Sequence, residues 1–547
     1  MDALGNDRCI EQHLCSLLFP LEFSPRFGTA VQDGIVAPLL SARVADLRVL
    51  TGRKPKDVPG PALWVESRFS AHADLTPAVR AVLCGADGPM ADGPMIVTGL
   101  EGQAFRGMPP LRLSDAALAL LNPKPSAPML EIRLPDGVDG ESHVPVWIRG
   151  GWLHLFGTGI GLLRFDFCTP EPAPTVRRLK ACLCELSREA ADGRGRLRFR
   201  KAEETTAPFS FDELLTTLTT GLVARGGAAV NAPLVRSEQH RSFLFSAVRF
   251  AEPLPNDAVR QQIGYALSRG TSPADDPPDG ELDILIEMRR GRHHVAGPGG
   301  GAILLEPVTS SQDVEDFFTD RLMKLYIPLA ALAYQEYLTL LRFASDSRIA
   351  ADYDAPTPEA CRRLRDRNSA ILEFRLNYRF SHVSTLHRVN RIYAEWRKAL
   401  CLDGMLTELT TDVAEVADFL AQRREELEAL RRAKVARMQT ILGVAYGTLA
   451  LLAGVYGMNF SVFGVGQTDT LLFWLPVLMA ILICTGILLW SYCALTPKCL
   501  DDPDPETWCT RTRKAIIMNV LVGWKRISPK LKGYLVRIQN AVPALRS

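Results

Sequence analysis

Met438–Tyr456 reads MQTILGVAYGTLALLAGVY, nineteen residues without a charged side chain, in a chain of 547 residues that is 23% charged overall. A second uncharged stretch, Leu471–Leu495, follows after a short gap, and Asp469 is the sole charged residue from Met438 to Pro497. Crossing the hydrocarbon core of a bilayer takes about 20 apolar residues in a helix. Both stretches meet that length, which predicts two C-terminal transmembrane helices. Trp474, Trp490 and Tyr492 lie near the ends of the second, where aromatic rings favour the membrane interface.

The basic residues set the expected orientation. Arg423, Arg424, Arg431, Arg432, Lys434 and Arg437 precede the first stretch, and Lys498, Arg511, Arg513 and Lys514 follow the second. The loop between them, residues 457–470, has no Lys or Arg. Positive charge stays on the cytoplasmic side, so both termini are expected there, in a multi-pass protein of the cell inner membrane.

Upstream of the first stretch, apolar residues recur at Leu402, Leu406, Leu409, Val413, Val416, Leu420, Leu427 and Leu430, interrupted only by Arg423. Steps of four and three make the seam of a helix packed lengthwise on others. No proline occurs from Leu402 to Leu475. One helix over 402–456, of roughly 80 Å at 1.5 Å per residue, is therefore expected to run from a stalk into the membrane. Residues 311–401 read as long helices, one over about Asp313–Ala344 and an arginine-rich one over about Pro358–Leu400.

Residues 1–310 read as a mixed α/β domain. Apolar runs bounded by Gly and Pro suggest strands at Val144–Arg149, Trp152–Phe156, Gly161–Phe167, Phe243–Phe250, Leu282–Met288 and Ala302–Leu305. Helices are expected over Thr175–Ala190 and Phe211–Ala224, with loops at Ala86–Met95 and Thr271–Gly280. The first residues lack the basic-then-apolar pattern of a secretory signal, so this domain is expected in the cytoplasm. Twelve cysteines without repeated spacing, Cys182 and Cys184 among them, fit reduced thiols better than a zinc site. The balance of 63 Lys and Arg against 61 Asp and Glu argues neither for nor against nucleic acid, and no nucleic-acid partner is expected.

Small residues mark the first uncharged stretch at Thr440, Gly443, Gly447, Ala450, Gly454 and Gly457. Such a stripe allows close helix packing in lipid. With Gln439 at its inner end, the same stripe fits the lining of a narrow pore. The stretch closes in Tyr456-Gly457-Met458-Asn459-Phe460. That motif, at the end of the first of two uncharged stretches and after a long heptad stalk, resembles the signature of the CorA superfamily of magnesium and cobalt channels. Close residue matching is limited to Val455–Phe460 and its flanks.

The resemblance implies a homopentameric funnel-type channel. It has α/β cytoplasmic domains, a helical stalk and two transmembrane helices per subunit, and Gly457, Met458 and Asn459 form the selectivity filter. Five Asn459 amides in a ring can accept hydrogen bonds from the waters of a hydrated cation, which suits Mg²⁺ because it dehydrates reluctantly. The implied cargo is Mg²⁺, with Co²⁺ and Ni²⁺ beside it; no enzyme activity and no bound cofactor are implied. Residues 460–468 carry no acid, the first stretch lacks a proline, and Gln439 stands where a bulky apolar gate is expected. These departures keep open a zinc transporter of the ZntB-like branch, and also a membrane-tethered receptor or enzyme that does not conduct. The tail, residues 496–547, carries nine Lys or Arg and no acid from Thr507 to Ser547. With Ile516, Ile517, Val520, Leu521 and Trp524 on one side, it reads as an interfacial helix on the anionic inner leaflet.

Other features carry less. Gly157-Thr158-Gly159-Ile160-Gly161 lacks phosphate-loop spacing and reads as a glycine-rich turn. His293 and His294 lie in a basic turn, and His382 and His387 do not share a helical face; neither pair has carboxylates placed for zinc.

Overall fold

The computed structural model describes residues 8–23, 32–44, 60–67, 71–84, 109–122, 129–134, 143–169, 174–192, 196–201, 204–205, 208–219, 222–225, 234–236, 242–270, 284–307, 311–350 and 358–459. The chain divides into two compact units, Met1–Leu420 and Ala421–Ser547.

In the first unit, fourteen strands among the described residues form one mixed sheet. Its main path runs Ile284–Arg289, Arg292–Gly297, Gly300–Leu305, Phe243–Phe250, Ile10–Glu22, Ile160–Cys168, His143–Leu155, Met129–Arg133, Leu197–Lys201 and Glu204–Thr205. Neighbours on this path are antiparallel except Phe243–Phe250 with Gly300–Leu305, which is parallel. The central strands are buried on both faces, so they read as continuous apolar runs instead of alternating ones. In Phe243–Phe250, Leu244 and Val248 enter one core while Phe243, Phe245 and Ala247 enter the other. That is the period of two expected of a strand between two layers.

Helices cover each face. Val176–Asp192, Phe211–Leu218 and Asp257–Arg269 supply Leu179, Leu183, Leu214, Leu215, Ile263 and Leu267 to the first core. Asp257–Arg269 is bounded by the Asn256 side chain, which accepts from Val259 N, and by Gly270 in the left-handed region at φ 57°. These are the usual start and stop signals of a helix. The helix packs against Gly300, where a Cβ would lie 2.0 Å from Ser268 O and 2.1 Å from Leu244 O. Only glycine fits there.

The second core lies under Pro77–Cys84 and the C-terminal helices. An α-helical turn at Ser311–Asp316, a π-helix over Phe317–Tyr326 and an α-helix over Ile327–Ala350 follow each other directly. The expected arginine-rich helix is two helices, Pro358–Asn377 and His387–Ala399. The break is made by side chains: Asn390 Oδ1 accepts from Val383 N and Ser384 N, both at 2.9 Å. Ser384 Oγ in turn donates to Asp74 O at 2.6 Å. The expected helix Phe211–Ala224 is likewise shorter, because Val223–Arg225 is a strand. The strand Ile10–Glu22, at the centre of the sheet, is absent from the sequence reading.

The last described helix spans Leu402–Asn459. In the first unit its Leu402, Leu406, Leu409 and Val413 are buried. In the second unit Leu427, Leu430, Val435, Ile441 and Tyr446 are exposed.

The expected fold class is corrected here. The α/β sheet is present, but the two C-terminal transmembrane helices, and the pentameric funnel built on them, are not seen. Among the described residues no helix is long and apolar enough to cross a membrane. Of the two stretches only the first falls in a described helix, Leu402–Asn459, where Gln439, Thr440, Gly443, Tyr446, Gly447 and Gly454 stand among the apolar residues. Residues 460–470 of the expected loop, the second stretch at 471–495 and the tail at 496–547 lie outside the described residues. So do the expected loops at Ala86–Met95 and Thr271–Gly280.

Candidate functional site

Gln439, Thr440, Gly443, Gly447, Ala450, Gly454, Gly457, Met458 and Asn459 all fall on the single helix Leu402–Asn459. At 3.6 residues per turn, positions 439, 440, 443, 447, 450, 454 and 457 share one face of about 100°. Gln439, Thr440, Gly443, Gly447, Ala450 and Gly454 are exposed. A Cβ placed on Gly443, Gly447 or Gly454 would meet nothing within 4 Å. Thr440 Oγ1 donates to Ala436 O at 2.9 Å, so this hydroxyl satisfies its own helix. The helix continues through Gly457 to Asn459, three residues beyond its expected end at Tyr456.

The other end of this helix is held by charge. Asp403, in its first turn, takes both Arg379 and Arg397 on one carboxylate oxygen. An acid there also complements the helix dipole. Only Leu400 and Cys401 separate this helix from His387–Ala399, and Cys401 has φ 52°, a left-handed conformation uncommon for a residue with a side chain. Beneath the link Tyr393 donates its hydroxyl to Glu336 Oε1. Burial pushes the Glu336 carboxyl up to about 8, against the opposing pull of the Tyr393 hydrogen bond, Arg397 and Arg379. This cluster joins the helices Ile327–Ala350, His387–Ala399 and Leu402–Asn459. The sequence reading missed it, although Glu336 is a lone carboxylate in the apolar run from Leu329 to Leu341.

A second polar cluster lies on the sheet. Arg164 is 1% exposed and binds Asp166 through Nε at 2.7 Å and Nη2 at 2.5 Å. Ser16 donates to the same carboxylate, and the guanidinium carbon stands 4.4 Å from the centre of the Trp152 ring. A buried pair satisfied this completely serves the fold and leaves no group free for chemistry.

The remaining sequence candidates resolve into structural roles. Gly157–Gly161 includes the turn between His143–Leu155 and Ile160–Cys168, with Gly159 at φ 80°. Arg342 Nη1 donates to Thr158 O and Gly159 O at 3.3 and 3.0 Å, so the turn's carbonyls are already held by a cation. His293 and His294 lie on the buried strand Arg292–Gly297, not in the turn before it. Burial lowers His294 to about 3, and neither ring nitrogen has a partner. His382 lies in the break between helices and His387 opens the next. Cys15, Cys168, Cys182 and Cys184 are buried and in no disulfide. Among the described residues no group of three or more His, Cys, Asp or Glu side chains could hold a metal ion.

No protein-family model matches the chain, and no curated protein matches it either.

Proposed function

We propose that this chain is a divalent-cation transport protein of the cell membrane, with Mg²⁺ as first cargo and Asn459 as the selecting residue. One observation supports it above the others. The helix Leu402–Asn459 runs unbroken from the Asp403 anchor to the Gly457-Met458-Asn459 signature and carries no Asp, Glu, Lys or Arg from Met438 onward. A Cβ at Gly443, Gly447 or Gly454 on its small-residue face would meet nothing within 4 Å, which fits a site completed by further copies.

The chemistry favours selection over capture. Neutral amide oxygens bind a hydrated divalent ion weakly enough to release it, as transport requires. Mg²⁺ keeps several waters, so acceptors for those waters are better suited than a cage of carboxylates. The basic tail supports placement at an anionic membrane surface, where each Lys or Arg near the lipid is worth about 1 kcal/mol.

The test is Mg²⁺ flux into liposomes containing the full chain and an internal Mg²⁺-sensitive dye. Asn459→Ala is expected to reduce flux at least tenfold while the protein still inserts to the same extent. Flux by this variant equal to wild type would remove Asn459 from the selecting role. No flux by the wild-type chain would favour the second reading, a tethered receptor. That reading is supported by the first unit, which closes two cores of its own around one sheet.

A further inference from the structure

The contacts that hold the start of the helix Leu402–Asn459 carry charges that do not balance. Arg379 and Arg397 both donate to the same oxygen of Asp403. Tyr393, one turn before Arg397 on His387–Ala399, donates to Glu336 Oε1. With Glu336 protonated, two guanidinium charges face the single carboxylate of Asp403. With Glu336 ionised, two face two.

The two carboxyl groups differ in their surroundings. The Asp403 side chain is 61% exposed, so water can serve it when a partner leaves. Glu336 is 2% exposed, and a carboxylate ionised there needs a cation. Arg397 is placed to supply one. Its side chain is 15% exposed, its Nη1 reaches Phe380 O only at 3.5 Å, and its buried Nε has no hydrogen-bond partner among the described residues. Residues four apart share a helix face, so the face that brings Tyr393 to Glu336 carries Arg397 beside it. Tyr393, Arg397, Arg379 and Asp403 are the charged or titratable groups that act on Glu336, and Cys401 lies in the link next to Asp403. Pro358–Asn377 and Phe243–Phe250 meet Ile327–Ala350 at other positions, through Phe374 on Phe343 and Phe243 on Tyr334, with ring centroids 5.9 and 4.7 Å apart.

We propose that the proton on Glu336 decides which carboxylate Arg397 holds, and so latches or frees the first turn of the helix Leu402–Asn459. Protonated Glu336 leaves Arg397 on Asp403, which ties the start of this helix to His387–Ala399 across the link Leu400-Cys401. Ionised Glu336 draws the free Nε–H of Arg397, and Asp403 keeps Arg379 alone. Burial sets the exchange near pH 8, with the latch closed below that value and open above it. The latch is independent of cation transport; either can stand without the other.

Double-mutant cycles in the full chain, read by urea denaturation at pH 6.5 and pH 9.5, test the exchange of partners. The cycle of Arg397→Gln with Asp403→Asn is expected to show a coupling of about fivefold in the folding constant at pH 6.5, and of less than about twofold at pH 9.5. The cycle of Arg397→Gln with Glu336→Gln should show the reverse. In the Glu336→Gln chain the coupling of Arg397 to Asp403 should stay at about fivefold at both values, which separates Glu336 from the Cys401 thiol. Where a double variant does not fold, the Arg397 Nε–H resonance of arginine-labelled protein gives the same answer. Its exchange with water, corrected for intrinsic base catalysis, should slow about tenfold from pH 6.5 to pH 9.5 in wild type and not in Glu336→Gln. A wild-type coupling of Arg397 to Asp403 that is equal at both values overturns the proposal, as does a loss at pH 9.5 that persists in Glu336→Gln. An Nε–H exchange unchanged by pH in wild type overturns it as well.

Discussion

Glu336 holds a proton that its surroundings force on it. The carboxyl ordinarily titrates at 4.5, and burial takes it to about 8 in the folded chain. Between those values the unfolded chain binds fewer protons than the folded one, so stability falls as pH rises through that window. Glu336→Gln keeps the acceptor for Tyr393 and removes the titration. It is expected to match wild type at pH 4.5 and to exceed it at pH 8.5 by on the order of a few kcal/mol. Urea denaturation at both values checks this, and a Gln variant weaker than wild type at pH 8.5 would refute the assignment. Cys401 gives a second test at the same scale. Its φ of 52° costs a residue with a Cβ roughly 1–2 kcal/mol, of which glycine's greater unfolded freedom takes back part. Cys401→Gly should therefore raise stability by up to about 1 kcal/mol, and the β-branched Cys401→Val should lower it.

Elements show where local pattern suffices and where it fails. Gly300→Ala forces a Cβ onto two backbone carbonyls at the only parallel step of the sheet's main path, and is expected to cost roughly 3 kcal/mol or more. Asn390→Ala frees Val383 N and Ser384 N at the break between helices, at a cost of about 1–3 kcal/mol by chemical denaturation. Strands such as Phe243–Phe250 were legible because burial on both faces writes itself as an uninterrupted apolar run. Ile10–Glu22 was not, because Glu11, Gln12, His13 and Pro20 break that run. The break before His387 was hidden for another reason: it depends on Asp74, more than 300 residues away in sequence. The two expected spans are not seen: no helix among the described residues is long and apolar enough to cross a membrane, and the second stretch lies outside them. The Gly-Met-Asn motif was visible as a motif, and Glu336 could have been seen as a carboxylate out of place.

Across the whole molecule, titrations of opposite sign meet. Burial lowers His13 to about 4 and His154 and His294 to about 3, from an ordinary 6.5, and lowers His293 as well. The unfolded chain binds these protons first as pH falls, so the histidines make stability rise with pH up to about 6.5. Glu336 acts in the other direction up to about 8. Several histidines outweigh one carboxylate below 6.5, and the carboxylate acts alone above it. The thermal midpoint of the first unit is thus expected to peak near pH 6.5 and decline towards pH 8, a decline that Glu336→Gln abolishes. The same unit carries a consequence for its own synthesis. Ile10–Glu22 lies between Ile160–Cys168 and Phe243–Phe250, so it leaves the ribosome before either of its neighbours exists. At about 5–20 residues per second, the roughly 230 residues from Glu22 to Phe250 take on the order of 10–50 seconds to appear. Until Cys168 is made that strand has two open edges, and from there to Phe250 it still has one. A nascent chain arrested before Phe250 should therefore be a substrate for chaperones and proteases, whereas one released beyond Leu420 should not.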